Sequence, residues 1–296
     1  MTSQVNLTNL IESYGSEDKC HAYLEALRWP EGVMCPRCAS KSISRIVKRH
    51  QYDCDACRYQ FSVRVGTILQ DSKLPLWKWF LAVYMVVESK KGVSANQLKR
   101  MLAVSYKTAW YLCHRIRASM KDEAPEQLRG IVEVDETFVG GKRRGVGGGF
   151  PHHMSVVAGA AQRGGEVRLA VIKNRSRKTL HGFINNVAHD ETQEIHTDEL
   201  FAYRGIGDHN TKHKVVNHSE REWVHANVHT NTVEGVWSLF KRSIVGSYHK
   251  LSVKHLPAYL DEMAFRYNNR DNEYMFRDTL LRLLEADVVS YESLTS

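Results

Sequence analysis

Apolar and polar positions alternate with different periods along the chain, and each change of period marks an element. Residues 1 to about 30 read as helical, and Leu76 to Glu88 is a strongly apolar helix carrying Trp77, Trp79 and Phe80. That aromatic stripe reads as core rather than as a stacking surface. Residues 92–102 and 103–117 give two further helices joined by a short turn. The second would bury Trp110, Leu112 and Ile116 and offer Ser105, Tyr106 and Lys107 at its start. A polar stretch, Lys121 to Gln127, ends this helical region. The period then shortens to two, and β-branched enrichment predicts strands near 130–139, 153–162 and 166–173. A helix-like stretch from Lys178 to Ala188 leads to a second apolar run, Glu194 to Asp198, and Asn231 to Arg242 returns to the helical period.

Cysteine spacing changes the picture before residue 60. Cys35 and Cys38, then Cys54 and Cys57, form two Cys-x-x-Cys knuckles separated by 15 residues. Four thiolates spaced in this way suit tetrahedral Zn²⁺ in a zinc ribbon, and a unit this small takes its stability from the metal. Two disulfides are the competing reading. Against them, no secretory pattern opens the chain, no apolar run reaches membrane-spanning length, and Cys20 and Cys113 would be left over. Both of these read as small buried hydrophobes. Arg37, Lys41, Arg45, Lys48, Arg49 and Arg58 surround the knuckles, which favours contact with nucleic acid over a merely solvated face.

The acidic residues of the later strands suggest chemistry. In the strand around Asp135, side chains two apart share a face, so Glu133, Asp135 and Thr137 point one way and Val132, Val134 and Glu136 the other. Acids on both faces imply that the strand's end opens into a site. Asp198 closes the run from Glu194, and carboxylates at the ends of neighbouring strands would converge. On the later helix, Asn231, Glu234 and Lys241 fall within roughly an 80° arc. One face could therefore present a metal ligand and a phosphate-binding cation to the same groove. Hard cations such as Mg²⁺ prefer carboxylate oxygens. The bland alternative is that Asp135 caps a turn, Asp198 caps a helix, and Glu234 and Lys241 form a solvated pair.

The segments Val132-Glu-Val-Asp135-Glu-Thr-Phe-Val-Gly-Gly-Lys142, His196-Thr-Asp198-Glu-Leu-Phe-Ala-Tyr203 and His229-Thr-Asn231-Thr-Val-Glu234-Gly-Val-Trp237-Ser-Leu-Phe-Lys241-Arg242 resemble the core of a known family. It comprises the bacterial insertion-sequence transposases with an N-terminal zinc ribbon and a DDE-type (ISXO2-like) catalytic domain. Phe265 to Arg270 resembles the motif that closes that domain. The resemblance runs from about Cys35 to Arg270.

Read along the chain, with the resemblance over its core, the expected architecture is an α+β multidomain one: a helical segment at 1–30, a zinc ribbon at 31–65, a helix-turn-helix-like DNA-binding region at 66–122, a ribonuclease-H-like domain at 128–270 and a helical tail at 271–296. The resemblance further implies that Asp135 and Asp198 are the first two catalytic carboxylates, holding Mg²⁺ or Mn²⁺, and that Lys241 binds a DNA-end phosphate. Family members place an Asn or a Glu at the third position, and this chain offers both. Glu234 is favoured because a charged ligand neutralises metal better than an amide, with Asn231 as a second ligand or substrate contact. Since transposition joins two ends, the family also implies a homo-oligomer.

Composition agrees without deciding. The 296 residues carry a formal charge of +8, which suits a polyanionic partner such as double-stranded DNA. A cytoplasmic, nucleoid-associated protein without a membrane span is expected. Lys142 to Gly149 is a cationic, glycine-rich hairpin tip that could fold over DNA or serve only as a connector. His225 and His229, four apart, could bind zinc on a helix, but structural or DNA-facing roles fit them better, as they do His152, His153 and His196. No His-x-His pair occurs, which removes the histidine signature of the tyrosine nucleases. Two other readings stay open: a zinc-dependent transcription regulator, and an inactive or domesticated transposase-derived DNA-binding protein.

Overall fold

The computed structural model describes residues 5–140, 154–207, 209–216 and 227–296. The glycine-rich tip at 142–149 and His152, His153 and His225 lie outside the described residues. Contacts divide the chain into two compact units, 1–121 with 271–296, and 122–270.

In the first unit, α1 (Leu7–Tyr14) and α2 (Glu17–Arg28) begin at Asn6 and Ser16, whose side chains accept from Asn9 N and Lys19 N. The antiparallel strands β1 (Ile43–Ile46), β2 (Gln51–Cys54) and β3 (Gln60–Phe61) form a small sheet in that order. Helix α3 (Leu76–Glu88) buries Trp79 and Phe80 and leaves Trp77 39% exposed, so the predicted aromatic stripe is mostly core. Helices α4 (Ala95–Leu102) and α5 (Tyr106–Met120) pack together across a turn in which Ala103 is left-handed (φ 49°) and Ser105 caps α5. Ser105, Tyr106 and Lys107 are exposed at the start of α5, while Leu112 and Ile116 are buried.

The second unit contains a five-stranded sheet of β4 (Ile131–Val139), β5 (Ser155–Gln162), β6 (Val167–Ile172), β7 (Glu194–Thr197) and β8 (Lys212–Val215). Its order is β6-β5-β4-β7-β8; the first three strands are antiparallel, and β7 and β8 run parallel to β4. This is a ribonuclease-H-like arrangement. Helix α6 (Arg177–Val187) covers one face, packing Leu180 and Ile184 on Val132, Val134 and Ala160. Helices α7 (Asn231–Ser243) and α8 (Leu256–Asn268) cover the other, packing Val236, Phe240 and Leu260 on Val157, Ala161 and Val167. Alternation along β4 and β5 thus feeds two separate apolar layers. Asn268 closes the edge: its side chain accepts from Val167 N and donates to Val167 O at 2.8 and 3.2 Å.

Past α8 the chain rejoins the first unit. Helix α9 (Met275–Glu285) sets Phe276 against Tyr14 and Phe80, with ring centroids 6.1 and 5.9 Å away, and Leu283 O accepts from Ile68 N. The short α10 (Tyr291–Thr295) puts the Tyr291 ring 4.3 Å from the Lys107 ammonium.

Candidate active site

Strand register brings Asp198 toward Asp135. Along the β4–β7 ladder, Ile131 pairs with Glu194 and Glu133 with His196, an offset of 63 residues. The ladder stops there and β7 ends at Thr197; the same offset, extended two residues, would put Asp198, just past β7, beside Asp135, and the Asp198 charge is felt at the Asp135 carboxyl. Asp198 leaves β7 in a tight turn, its Oδ1 accepting from Leu200 N at 3.0 Å and its carbonyl from Thr197 Oγ1 at 2.8 Å.

The acids on the two faces of β4 do not mark an open strand end. Glu133 is fully buried. It accepts from Arg163 Nε at 2.7 Å, from Thr232 N at 2.7 Å and from Val233 N at 3.3 Å. Those amides belong to the first turn of α7, where the helix dipole favours a negative charge, so Glu133 seats α7 on β4. His229 Nδ1 lies 3.1 Å from the same carboxylate. On the other face, Glu136 takes Arg175 at 3.0 Å and the Tyr203 hydroxyl at 2.6 Å, with its side chain 4% exposed. Both are buried charges satisfied by specific partners.

Asp135 lies between these two acids and is differently placed. Trp237 Nε1 donates to its Oδ2 at 3.0 Å. Burial, then the charges of Glu136 and Asp198, push its carboxyl up from 3.8 to about 7. This carboxylate is buried beside two other acids, and a bound cation would offset both penalties. Between about pH 4 and 7 the folded chain keeps a proton that the unfolded chain releases, so Asp135 destabilises the fold as pH rises and the loss is complete above about 7. Asp135→Asn is therefore expected to stabilise the magnesium-free, zinc-loaded chain at pH 8 by up to about 4 kcal/mol, with little gain at pH 4. Urea unfolding at the two pH values checks this, and an equal effect at both would overturn it.

The remaining candidates lie along α7. Asn231 is exposed at its first position, and Glu234, partly exposed, accepts from Thr230 Oγ1 at 2.8 Å. Lys241 is exposed in the last turn, just before a π-helical turn at Ile244–Tyr248. Asp135, Asp198 and Glu234 do not gather into one tight cluster: among the described residues, only the four ribbon cysteines bring three or more ligand atoms within 4.8 Å of one another. Carboxylates serving two ions about 4 Å apart need not do so. His196 is fully buried between Glu194 Oε2 (2.8 Å) and Arg163 (3.1 Å), a structural position.

In the ribbon, Cys35 Sγ lies 3.7 Å from Cys57 Sγ, and Cys38 Sγ lies 3.5 Å from Cys54 Sγ. A tetrahedral Zn²⁺ about 2.3 Å from each sulfur sets neighbouring sulfurs roughly 3.8 Å apart, so the four thiols fit that ion. All six cysteines are free, which excludes the disulfide reading in this structure.

Residues 15–60 match the transposase zinc-ribbon domain family, and residues 127–268 match the ISXO2-like transposase domain family. An uncharacterized protein in transposable element ISH50 of Halobacterium salinarum is 30% identical over 279 residues, covering 86% of this chain and 92% of the relative. The chain belongs to the ISXO2-like transposase family. The second match spans β4 to the end of α8, all of the second unit except its first five and last two residues. Among the described residues, no helix of this transposase is long and apolar enough to cross a membrane. From the sequence, Glu133 and Glu136 read as signs of an open strand end and Trp237 only as part of a motif, and Gly159 and Arg163 carried no reading. The period of two did place Glu133 beside Asp135, and this was the available signal.

Proposed function

We propose that the chain is the transposase of an insertion sequence, acting in the cytoplasm on double-stranded DNA. The observation that carries this reading is the parallel β4–β7 register, which runs toward Asp135 and Asp198, together with an Asp135 carboxyl raised by burial and then by the charges of Glu136 and Asp198. Asp135 and Asp198 would hold Mg²⁺ or Mn²⁺, and Glu234 would complete the set. The bound ions would supply activation of the attacking oxygen and stabilisation of the leaving one. Asn231, exposed one turn before Glu234, would contact substrate or serve as a further ligand. Lys241 would hold a DNA-end phosphate as a point charge. Cys35, Cys38, Cys54 and Cys57 would bind a structural Zn²⁺, and the ribbon with α4 and α5 would bind the element's ends. Joining two ends calls for a homo-oligomer.

The test is Mg²⁺-dependent cleavage and strand transfer by the zinc-loaded chain on DNA from the gene's own flanks. Specific nicking at the element's ends is expected. Tight binding without any cleavage would instead favour a DNA-binding remnant.

A further inference from the structure

Trp237 has no part in the chemistry assigned above, yet the fold makes room for it at a specific place. Asp135 on β4 pairs with Gly159 on β5. A Cβ at residue 159 would lie 2.5 Å from Trp237 Cζ2 and 2.7 Å from Cη2, so the indole occupies the space of a β5 side chain. No turn or positive φ calls for glycine there; close approach of the ring does. The indole is 4% exposed, and its N–H reaches Asp135 Oδ2 at 3.0 Å. A buried indole N–H needs an acceptor, and here the acceptor is a carboxylate rather than a backbone carbonyl.

We propose that Trp237 is a positioning residue of the metal site: its N–H, bonded to Oδ2, fixes the orientation in which the Asp135 carboxylate would hold a divalent cation. The inference rests on the reading of Asp135 and Asp198 as metal ligands. Trp237 follows Glu234 by three residues on α7, so the same hydrogen bond couples the helix bearing Glu234 to the strand bearing Asp135. Glu133, two residues away on the same face of β4, ties the two elements again through the amides of Thr232 and Val233 in the first turn of α7. Partners that orient a metal ligand typically contribute about 10- to 100-fold in affinity.

The experiment is a Mn²⁺ titration of the zinc-loaded full chain, with free Mn²⁺ followed by electron paramagnetic resonance and without DNA or turnover. Native chain is compared with Trp237→Phe, Gly159→Ala and Asp198→Asn, and urea midpoints and circular dichroism are recorded for each. Trp237→Phe keeps an aromatic ring in the slot and removes the N–H. It is expected to bind Mn²⁺ about 10- to 100-fold more weakly at an unchanged dichroism spectrum. Gly159→Ala keeps the N–H but displaces the ring, and should weaken Mn²⁺ in the same direction; it carries the comparison if Trp237→Phe fails to fold. Native affinity in Trp237→Phe, or in Gly159→Ala where that chain carries the comparison, with binding lost in Asp198→Asn, would overturn the role of Trp237 and leave the site reading standing. Equal affinity in all four chains would overturn both.

Discussion

Asp198→Asn is expected to lower Mg²⁺-dependent cleavage and strand transfer by at least about 10³-fold, a loss of roughly 4 kcal/mol of transition-state stabilisation. The substitution is nearly isosteric. An asparagine Oδ1 can still accept from Leu200 N, so the turn after β7 should survive. What disappears is one negative charge beside Asp135, whose own carboxyl is already raised by burial and by its neighbours. Two divalent ions need those charges together; an amide beside a single carboxylate does not hold them well. Affinity for DNA should stay the same or rise slightly, because a negative charge near phosphate has been removed. Cleavage products on sequencing gels and binding by mobility shift, measured on one preparation, separate the two effects. Cleavage persisting in Asp198→Asn would place the chemistry elsewhere.

How much of this was legible in the sequence depends on the range of each contact. The period of two around Asp135 reveals β4 and which residues share its faces, because alternation is local. The run from Glu194 is visible for the same reason. Strand β8, with the sequence Lys-His-Lys-Val, gives no such signal, because it lies at the sheet edge and its lysine at 212 and valine at 215 face solvent. Buried acids mislead for a physical reason: a carboxylate in a strand reads as exposed unless its partners are known. The partners of Glu133 come from the turn after β5 and from the first turn of α7, about 30 and 100 residues away. The return of α9 to Tyr14 and Phe80 spans most of the chain, and an amphipathic helix does not reveal which surface it will cover. The Trp237–Gly159 fit is of the same kind. A glycine in a strand signals close approach without naming what approaches.

Removing zinc is expected to unfold the ribbon while leaving residues 122–270 folded. The ribbon's buried core is small: Cys35, Tyr52, Cys54 and Phe61, with Trp29 packed edge-on against Tyr52 and Phe61. Its strands are two to four residues long. Two of those four core residues are the proposed ligands themselves, so without metal the apolar surface cannot offset the cost of ordering the loop. Binding of Zn²⁺ to such a unit is worth about 10–16 kcal/mol in comparable small domains, more than the whole stability of many folds. The damage should spread one element further. Arg28 donates to Val63 O at 2.6 Å, and Arg64 pairs with Glu17 at 2.8 Å, so α2 depends on the ribbon's ordered exit. Hydrogen exchange on a chelator-treated chain should show protection lost across 35–61 and reduced in α2, with β4, β5 and α7 unchanged. Specific binding to the element's ends should fall in parallel, because a disordered ribbon cannot present Arg37, Lys41 and Arg58 in a fixed pattern. Full protection of 35–61 after zinc is removed would show that the four thiols are not held together by metal.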